Sequence, residues 1–224
     1  MSRNIRVLLV VSVLFGAAVG LYDFVLPYYL RERGLSFPSM GWLFAASAGV
    51  MVVVRLATGR LVDAWGCKRP YLAALFGGAV ASALAALTGN VAALTVLKTG
   101  REMGLLLRET SHPVLLFLED RVRFRGFVGT TRGIESLCLA LGTVLAGWTM
   151  TSWGNGWSLV LSAAILAAAG VVLAAFLRDR SPPPQDAPAR GAWWRWDVDR
   201  NLKVIMLSGV VFNLGLTTSH GFIM

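Results

Sequence analysis

Long apolar segments limit what this chain can fold into more than any other feature. A helix of about 20 apolar residues crosses a bilayer core of roughly 30 Å, and such stretches recur along the whole chain. The hydrophobic fraction of 56% and the mean hydropathy of +0.64 also exceed those of a soluble domain. The first stretch has no small-residue cleavage site, so we interpret it as a retained span rather than a cleaved signal peptide. We predict an all-α, multi-pass membrane protein with seven transmembrane helices, near residues 7–30, 38–58, 70–89, 91–118, 129–150, 157–177 and 202–224.

Basic residues lie mostly on one side of the predicted spans. Of the 21 Lys and Arg residues, two lie in connections on one side, four lie inside spans, and the others share the side of the N-terminus. Loops rich in Lys and Arg stay in the cytoplasm, so we predict a cytoplasmic N-terminus and a location in the cell membrane. The net charge of +9 is then a topology signal, and we expect the lipid bilayer rather than nucleic acid as the partner. The basic residues on the N-terminal side are Arg3, Arg6, Arg60, Lys68, Arg69, Arg121, Arg123, Arg125, Arg132, Arg178, Arg180, Arg190, Arg195, Arg200 and Lys203.

One stretch interrupts the apolar pattern. Residues 178–200 are rich in proline, charge and tryptophan, and such a segment cannot bury apolar area as a span does. We predict a cytoplasmic linker there, which ends in a short helix on the membrane surface. The predicted organisation is a six-helix bundle over residues 1–177, the linker over 178–200, and a seventh transmembrane helix over 201–224.

The connection between the second and third spans carries a patterned set of residues. Gly59, Leu61, Asp63, Gly66 and Lys68 are followed by Arg69. The set resembles the G-x-L-x-D-x-x-G-x-K/R pattern between the second and third helices of the major facilitator superfamily of transporters, with Cys67 where a basic residue is usual. The alternative is an ordinary basic turn. We expect a short turn here, with Lys68 and Arg69 at lipid headgroups.

The resemblance implies a fold and a function. Members have two six-helix bundles joined by a cytoplasmic loop, and the bundles rock about a central site to give alternating access. The chain would supply the first bundle and the start of the second, and we expect it to be a fragment that lacks the C-terminal six-helix bundle; the alternative is a half-protein. The implied function is secondary transport of a small solute, with protons as a candidate coupling ion, and the Asp63 motif would latch the cytoplasmic side.

The predicted fourth span is unusual because it carries a polar stripe. At about 100° per residue, its six ionisable residues fall within an arc of roughly 120°. A charge that faces hydrocarbon costs at least about 2.5 to 3.5 kcal/mol, so the stripe must face the bundle interior or a wet cavity. Lys98 and Glu102 are four residues apart and can pair. Two interpretations stay open, a structural ion-pair network and a substrate or proton path, for Lys98, Arg101, Glu102, Arg108, Glu109 and His112.

Two further carboxylates could join this path. Asp23 is the only charge in the first span, and it is either a proton or substrate site or a structural partner for a cation such as Arg101 or Arg108. Glu135, near one end of the fifth span, could face the same cavity. By resemblance to the superfamily motif L-x-x-x-R-x-x-x-G, Arg101 is a candidate for coupling the substrate to protons, although the glycine arrives one position early. The candidate path comprises Asp23, Arg101, Glu102, Arg108, Glu109 and Glu135.

Small residues in the fifth span allow two interpretations. Gly129, Gly142 and Gly147 match part of a glycine-rich motif of drug/proton antiporters in the superfamily, but Cys138 and Ala146 replace other glycines of that motif. The other interpretation is that they only permit close helix packing.

Nothing in the sequence resembles a phosphate-cradling loop, a metal cluster or a hydrolytic triad. We therefore predict no enzymatic activity, no cofactor and no metal. The second functional hypothesis is a non-transporting membrane protein, such as a sensor, an assembly partner or a half-size relic on the same scaffold.

Overall fold

Six long helices make up the described part of the chain. The computed structural model describes residues 2–178, apart from the side chains of residues 52, 53, 56, 57, 59, 60 and 63 in the second helix. The helices are α1 (Arg3–Glu32), α2 (Phe37–Trp65), α3 (Lys68–Leu87), α4 (Val91–Glu119), α5 (Phe124–Trp153) and α6 (Asn155–Phe176).

Each of the first six predicted spans coincides with one helix. The largest differences are at the end of α2, which continues to Trp65, and at the start of α5, which begins at Phe124. The connection predicted over residues 59–69 is therefore mostly helical, because Gly59 to Trp65 belong to α2 and only Gly66 and Cys67 separate it from α3. The predicted linker beyond Arg178 and the seventh span lie outside the described residues.

Local signals in the sequence set the helix ends. Ser2 and Asn90 precede α1 and α4, and their side-chain oxygens accept hydrogen bonds from backbone N–H groups of the first turn. Gly66 and Gly154 end α2 and α5 with φ angles of 73° and 85°, a region that favours glycine. The connections are therefore short enough that consecutive helices run in opposite directions.

Contacts at the two ends of the bundle agree with this alternation. At the N-terminal end, Asn4 Nδ2 donates to Glu119 Oε1 at 2.6 Å and to the carbonyl oxygen of Arg178 at 3.0 Å, which joins the start of α1 to the ends of α4 and α6. At the opposite end, Asn155 Nδ2 donates to Glu32 Oε2 at 2.8 Å. The chain thus brings its N-terminus, the α2–α3 turn and the α4–α5 loop to one end.

The packing of the six helices has an internal symmetry. α1 packs on α5 and α6, α4 packs on α2 and α3, and α3 packs on α6. If α1 is exchanged with α4, α2 with α5, and α3 with α6, this set of contacts is unchanged. Because α1 and α4 run in opposite directions, the bundle consists of two inverted triplets of helices.

The α1–α5 contact is close because glycines line it. A Cβ atom at Gly20 or Gly142 would collide with the backbone carbonyl oxygens of Leu139 and Ala17, respectively. By contrast, Gly129 and Gly147 have open space beside them among the described residues. Gly142 therefore acts as a packing glycine, and the antiporter interpretation of the three glycines stays a prediction.

The helices have the length and surface of membrane spans. Within residues 2–178, four helices are long and apolar enough to cross a membrane by length and composition, namely α1, α3, α5 and α6. α2 exposes Trp42 and Trp65, whose side chains are 76% and 53% exposed, near its two ends. At 1.5 Å per residue these two positions are about 35 Å apart, which matches the two interfacial zones where tryptophan concentrates.

The close α1–α5 contact makes a specific prediction for glycine substitutions. Gly142→Ala should lower the free energy of unfolding of the purified protein by about 1 to 3 kcal/mol, and with it the melting temperature, because backbone atoms that cannot move aside meet the new methyl group. Gly147→Ala is the matched control on the same helix and should leave stability unchanged or raised, since alanine has the higher helix propensity. Tryptophan-fluorescence melts of both variants test this, and equal melting temperatures would contradict it.

Candidate functional site

Four of the six residues of the polar stripe of α4 lie inside the bundle. Lys98, Arg101, Arg108 and His112 are buried, although they belong to a helix as long as the bilayer is thick. Each contacts residues of neighbouring helices, and together they reach α1, α2, α3 and α5. These four members of the stripe therefore avoid lipid because partners from four other helices cover them.

The first group of charges, here called the Asp23–Arg101 layer, consists of Asp23, Lys98, Arg101 and Glu102. Arg101 Nη1 donates to Asp23 Oδ1 at 3.1 Å and so joins α4 to α1. Lys98 Nζ lies 2.7 Å from Glu102 Oε1, which is the pairing predicted from the four-residue spacing. The layer therefore contains two cations and two carboxylates.

An aromatic ring accompanies each cation of this layer. The guanidinium carbon of Arg101 lies 3.7 Å from the centroid of the Tyr22 ring, and Lys98 Nζ lies 4.8 Å from the centroid of the Phe44 ring. Both distances are within the range of cation–π attraction, which strengthens as water is excluded. The rings thus hold the two cations in place without neutralising them.

The second group, here called the Arg108–Glu135 layer, lies two turns along α4 toward the N-terminal end. Arg108 Nη1 and Nη2 donate to the two carboxylate oxygens of Glu135 at 2.8 and 2.7 Å, a bidentate pair that joins α4 to α5. The Phe15 ring lies 3.8 Å from the Arg108 guanidinium, and Ser12 Oγ accepts a longer bond of 3.4 Å. This pair is well packed and enclosed.

The two layers differ in how far their carboxylates are exposed. The Asp23 side chain is 52% exposed and that of Glu102 is 25% exposed, whereas that of Glu135 is 12% exposed. Arg101 and Arg108 are each at most 2% exposed. In the Asp23–Arg101 layer, carboxylates therefore lie at the surface of the bundle with buried cations behind them.

The remaining members of the stripe have separate surroundings. Glu109 lies at the surface 3.4 Å from Arg55 of α2, and both side chains are about half exposed. His112 Nδ1 lies 3.2 Å from Tyr71 Oη of α3, in a fully buried contact. Glu109 therefore does not join either layer, and His112 links α4 to α3.

The motif between α2 and α3 forms part of the N-terminal end of the bundle. Lys68 Nζ donates to the carbonyl oxygen of Leu177 at 2.6 Å, so its charge stabilises the carbonyl end of α6. Arg69 is exposed, and Leu61 and Gly66 are half-buried. The helix backbone places Asp63 in the last turn of α2, two residues before Trp65.

Several residues that shape the layers were not named as site residues from the sequence. Ser12, Phe15 and Tyr22 of α1 contact the two arginines, and Tyr71 of α3 contacts His112. The helical periodicity of the sequence could have indicated the α1 residues, because Ser12, Phe15 and Tyr22 lie with Asp23 within an arc of about 100° on α1.

Among the residues described, no three His, Cys, Asp or Glu side chains could hold a metal ion together.

The sequence of the first helices matches a known family. Residues 1–107 match the family model of the Major Facilitator Superfamily. That part of the chain belongs to the major facilitator superfamily. The match includes α1 to α3, the Gly59–Lys68 motif, Asp23 and Arg101, and the inverted triplets are the arrangement found within each half of such transporters. No curated protein matches the chain. The match over residues 1–107 and the apolar helices together support a multi-pass membrane protein of the transporter type.

The difference in burial between two carboxylates predicts different costs for the same substitution. Glu135→Gln should lower the free energy of unfolding by about 3 kcal/mol, because it leaves the buried Arg108 guanidinium without a counter-charge. Glu109→Gln should cost less than about 1 kcal/mol, since its pair with Arg55 is exposed. Thermal unfolding of the two variants in detergent measures both effects. A similar loss of stability in each would show that burial does not make the Arg108–Glu135 pair more important for stability than the exposed Glu109–Arg55 pair.

Proposed function

We propose that the protein is a secondary active transporter that moves a small polar solute by alternating access, with the Asp23–Arg101 layer as the solute site. The observation that carries the proposal is an ion pair between α1 and α4, part-way along both helices, with one partner at the bundle surface and the other buried. Transporters of inverted-repeat folds hold substrates near the middle of the membrane, where the repeats meet. α1 and α4 are the equivalent helices of the two triplets.

Energetics favour a functional over a structural role for this pair. An ion pair whose carboxylate is half exposed contributes little net stability, so the Asp23–Arg101 pair is a poor device for holding helices together. The Asp23–Arg101 contact is also a single hydrogen bond, while Arg108 and Glu135 share two shorter ones. We therefore assign the solute to the Asp23–Arg101 layer and a structural role to the Arg108–Glu135 layer.

Proton coupling belongs to the same proposal. A proton bound to Asp23 would remove its charge and release Arg101, so that solute binding and proton binding compete for one pair. Glu102 could take part through Lys98, and Glu109 would lie at the edge of the path beside Arg55.

The topology and the gate complete the proposal. The N-terminal end carries most of the basic residues, which supports a cytoplasmic N-terminus in the cell membrane. Residues 1–177 would form the first bundle, 178–200 the cytoplasmic linker and 201–224 the start of the second bundle. Asp63 would close the cytoplasmic side by pairing with a helix N-terminus or an arginine in one of the two states.

Substitution of the ion pair tests the assignment of the solute site. Asp23→Asn and Arg101→Gln should each reduce uptake or efflux of a transported solute by about tenfold or more, since each removes a charged hydrogen bond, while insertion stays normal. Glu32→Gln is the control, because Glu32 pairs with Asn155 at the end of the bundle that lies opposite the N-terminus. Flux in proteoliposomes against a panel of labelled solutes measures this. Undiminished flux in both variants would reject the site, and solute binding without any flux would favour a sensor.

The proposed gate predicts that a substitution of Asp63 changes the turnover rate but not the affinity for the solute. Asp63→Asn should slow turnover about tenfold, because one of the two states loses a charged contact, and should leave the dissociation constant of the solute within about twofold. Flux and equilibrium binding on the same preparation give both numbers. A large loss of affinity with normal turnover would place Asp63 in a different role.

A further inference from the structure

We propose that the transported solute is a zwitterion whose carboxylate binds Arg101 and whose ammonium group binds Asp23, so that the solute inserts into the ion pair between α1 and α4. This inference rests on the proposed transport function and names the substrate class of the same site. It follows from unused hydrogen-bonding groups, from the placement of the carboxylates and from the charge balance of the layer.

Arg101 has hydrogen-bond donors to spare. Its Nη1 donates to Asp23, while its Nε and Nη2 are buried and have no hydrogen-bond partner among the described residues. Buried donors without partners are costly, and each such group in a native structure calls for an explanation. Nε–H and one Nη2–H point along the same edge of the guanidinium, the geometry that binds a carboxylate through two parallel hydrogen bonds. Arg101 is therefore equipped to bind a second carboxylate.

The carboxylates of the layer can accept an ammonium group. Asp23 and Glu102 each use one oxygen for the contacts described above, and both side chains reach the surface of the bundle. The layer already holds one ammonium group in this manner, since Lys98 Nζ lies between the Glu102 carboxylate and the Phe44 ring. A solute ammonium that approaches Asp23 would thus meet the same chemistry.

Charge balance selects a zwitterion over a simple ion. The layer contains Lys98 and Arg101 against Asp23 and Glu102, so its net charge is zero. A solute with a single charge would leave one charge uncompensated beside the buried Arg101 and Lys98 side chains, where an unpaired charge is expensive. A zwitterion adds no net charge, and it replaces one ion pair with two, Arg101 with the solute carboxylate and Asp23 with the solute ammonium.

The Arg108–Glu135 layer lacks these properties. Both Nη atoms of Arg108 are bound by Glu135, and only its Nε is buried without a partner among the described residues. A carboxylate could not bind there through two bonds unless Glu135 left. The two arginines of α4 therefore divide the tasks of binding and support.

Matched solutes test the proposed substrate class. Dissociation constants are measured by calorimetry on the full-length protein in lipid nanodiscs for two triplets: 4-aminobutanoate, butanoate and propylamine, and alanine, propanoate and ethylamine. In at least one triplet the zwitterion should bind about tenfold or more tightly than both singly charged analogues. An anion or a cation that binds as well as its zwitterion, or no binding in either triplet, would overturn the proposal.

Two variants add a readout that a general loss of folding cannot imitate. Asp23→Asn should abolish the preference for the zwitterion over the matched anion, because the ammonium group loses its partner. Arg101→Gln should abolish the preference over the matched cation. Glu32→Gln should keep the wild-type order. If neither variant changes the order of affinities, Asp23 and Arg101 do not bind the two ends of the solute.

Failure of this inference is distinguishable from failure of the transport function. Flux of some other solute that is sensitive to Asp23→Asn and Arg101→Gln would retain the site and reject only the zwitterion. Binding of the zwitterion with no flux would retain the solute class and reject transport.

Discussion

The cost of placing a charge in hydrocarbon governs the whole arrangement. α4 carries six ionisable residues on one stripe, and each would cost several kcal/mol if it faced lipid. The stripe can be accommodated only if other helices surround it, and α1, α2, α3 and α5 all supply partners to it. The position of α4 in the bundle, the close approach of α1 to α5 and the choice of Asp23 and Glu135 as partners follow from that single requirement.

Close packing makes this enclosure possible. α1 must lie near α4 to offer Asp23 and Tyr22, and it must also lie near α5, which offers Glu135. Glycines at positions 20 and 142 bring the backbones of α1 and α5 together, so that van der Waals contact replaces the hydrophobic effect, which is weak between helices in lipid. Without that approach the Arg108–Glu135 pair would lie at a wider gap, where water or lipid could compete with it.

The sequence predicted the parts of this structure that depend on one helix alone. Apolar length located the first six spans, and four-residue spacing predicted the Lys98–Glu102 pair, because both properties are local. The sequence indicated Asp23 as a partner for Arg101 or Arg108 but could not decide between them. Asp23 is 78 positions from Arg101 and Glu135 is 27 positions from Arg108, and only the packing order of the helices decides which carboxylate each arginine meets. The end of α2 was predicted too early, near residue 58, because the glycines at 59 and 66 suggested a reversal of the chain, whereas α2 stays helical to Trp65.

The contrast between the two layers bears on how the bundle could change state. Arg108 is held by Glu135 through two bonds and stacks on Phe15, so α4 and α5 should move as one body around it. The Asp23–Arg101 pair has a single bond and a half-exposed carboxylate, so the α1–α4 contact is the weaker connection. A site that rearranges on binding needs a weak contact beside a strong one. The binding free energy of a small solute can then break the weak contact without disrupting the strong one. The asymmetry between two chemically similar ion pairs, seven residues apart on one helix, is therefore what favours the Asp23–Arg101 layer over the Arg108–Glu135 layer as the proposed solute site.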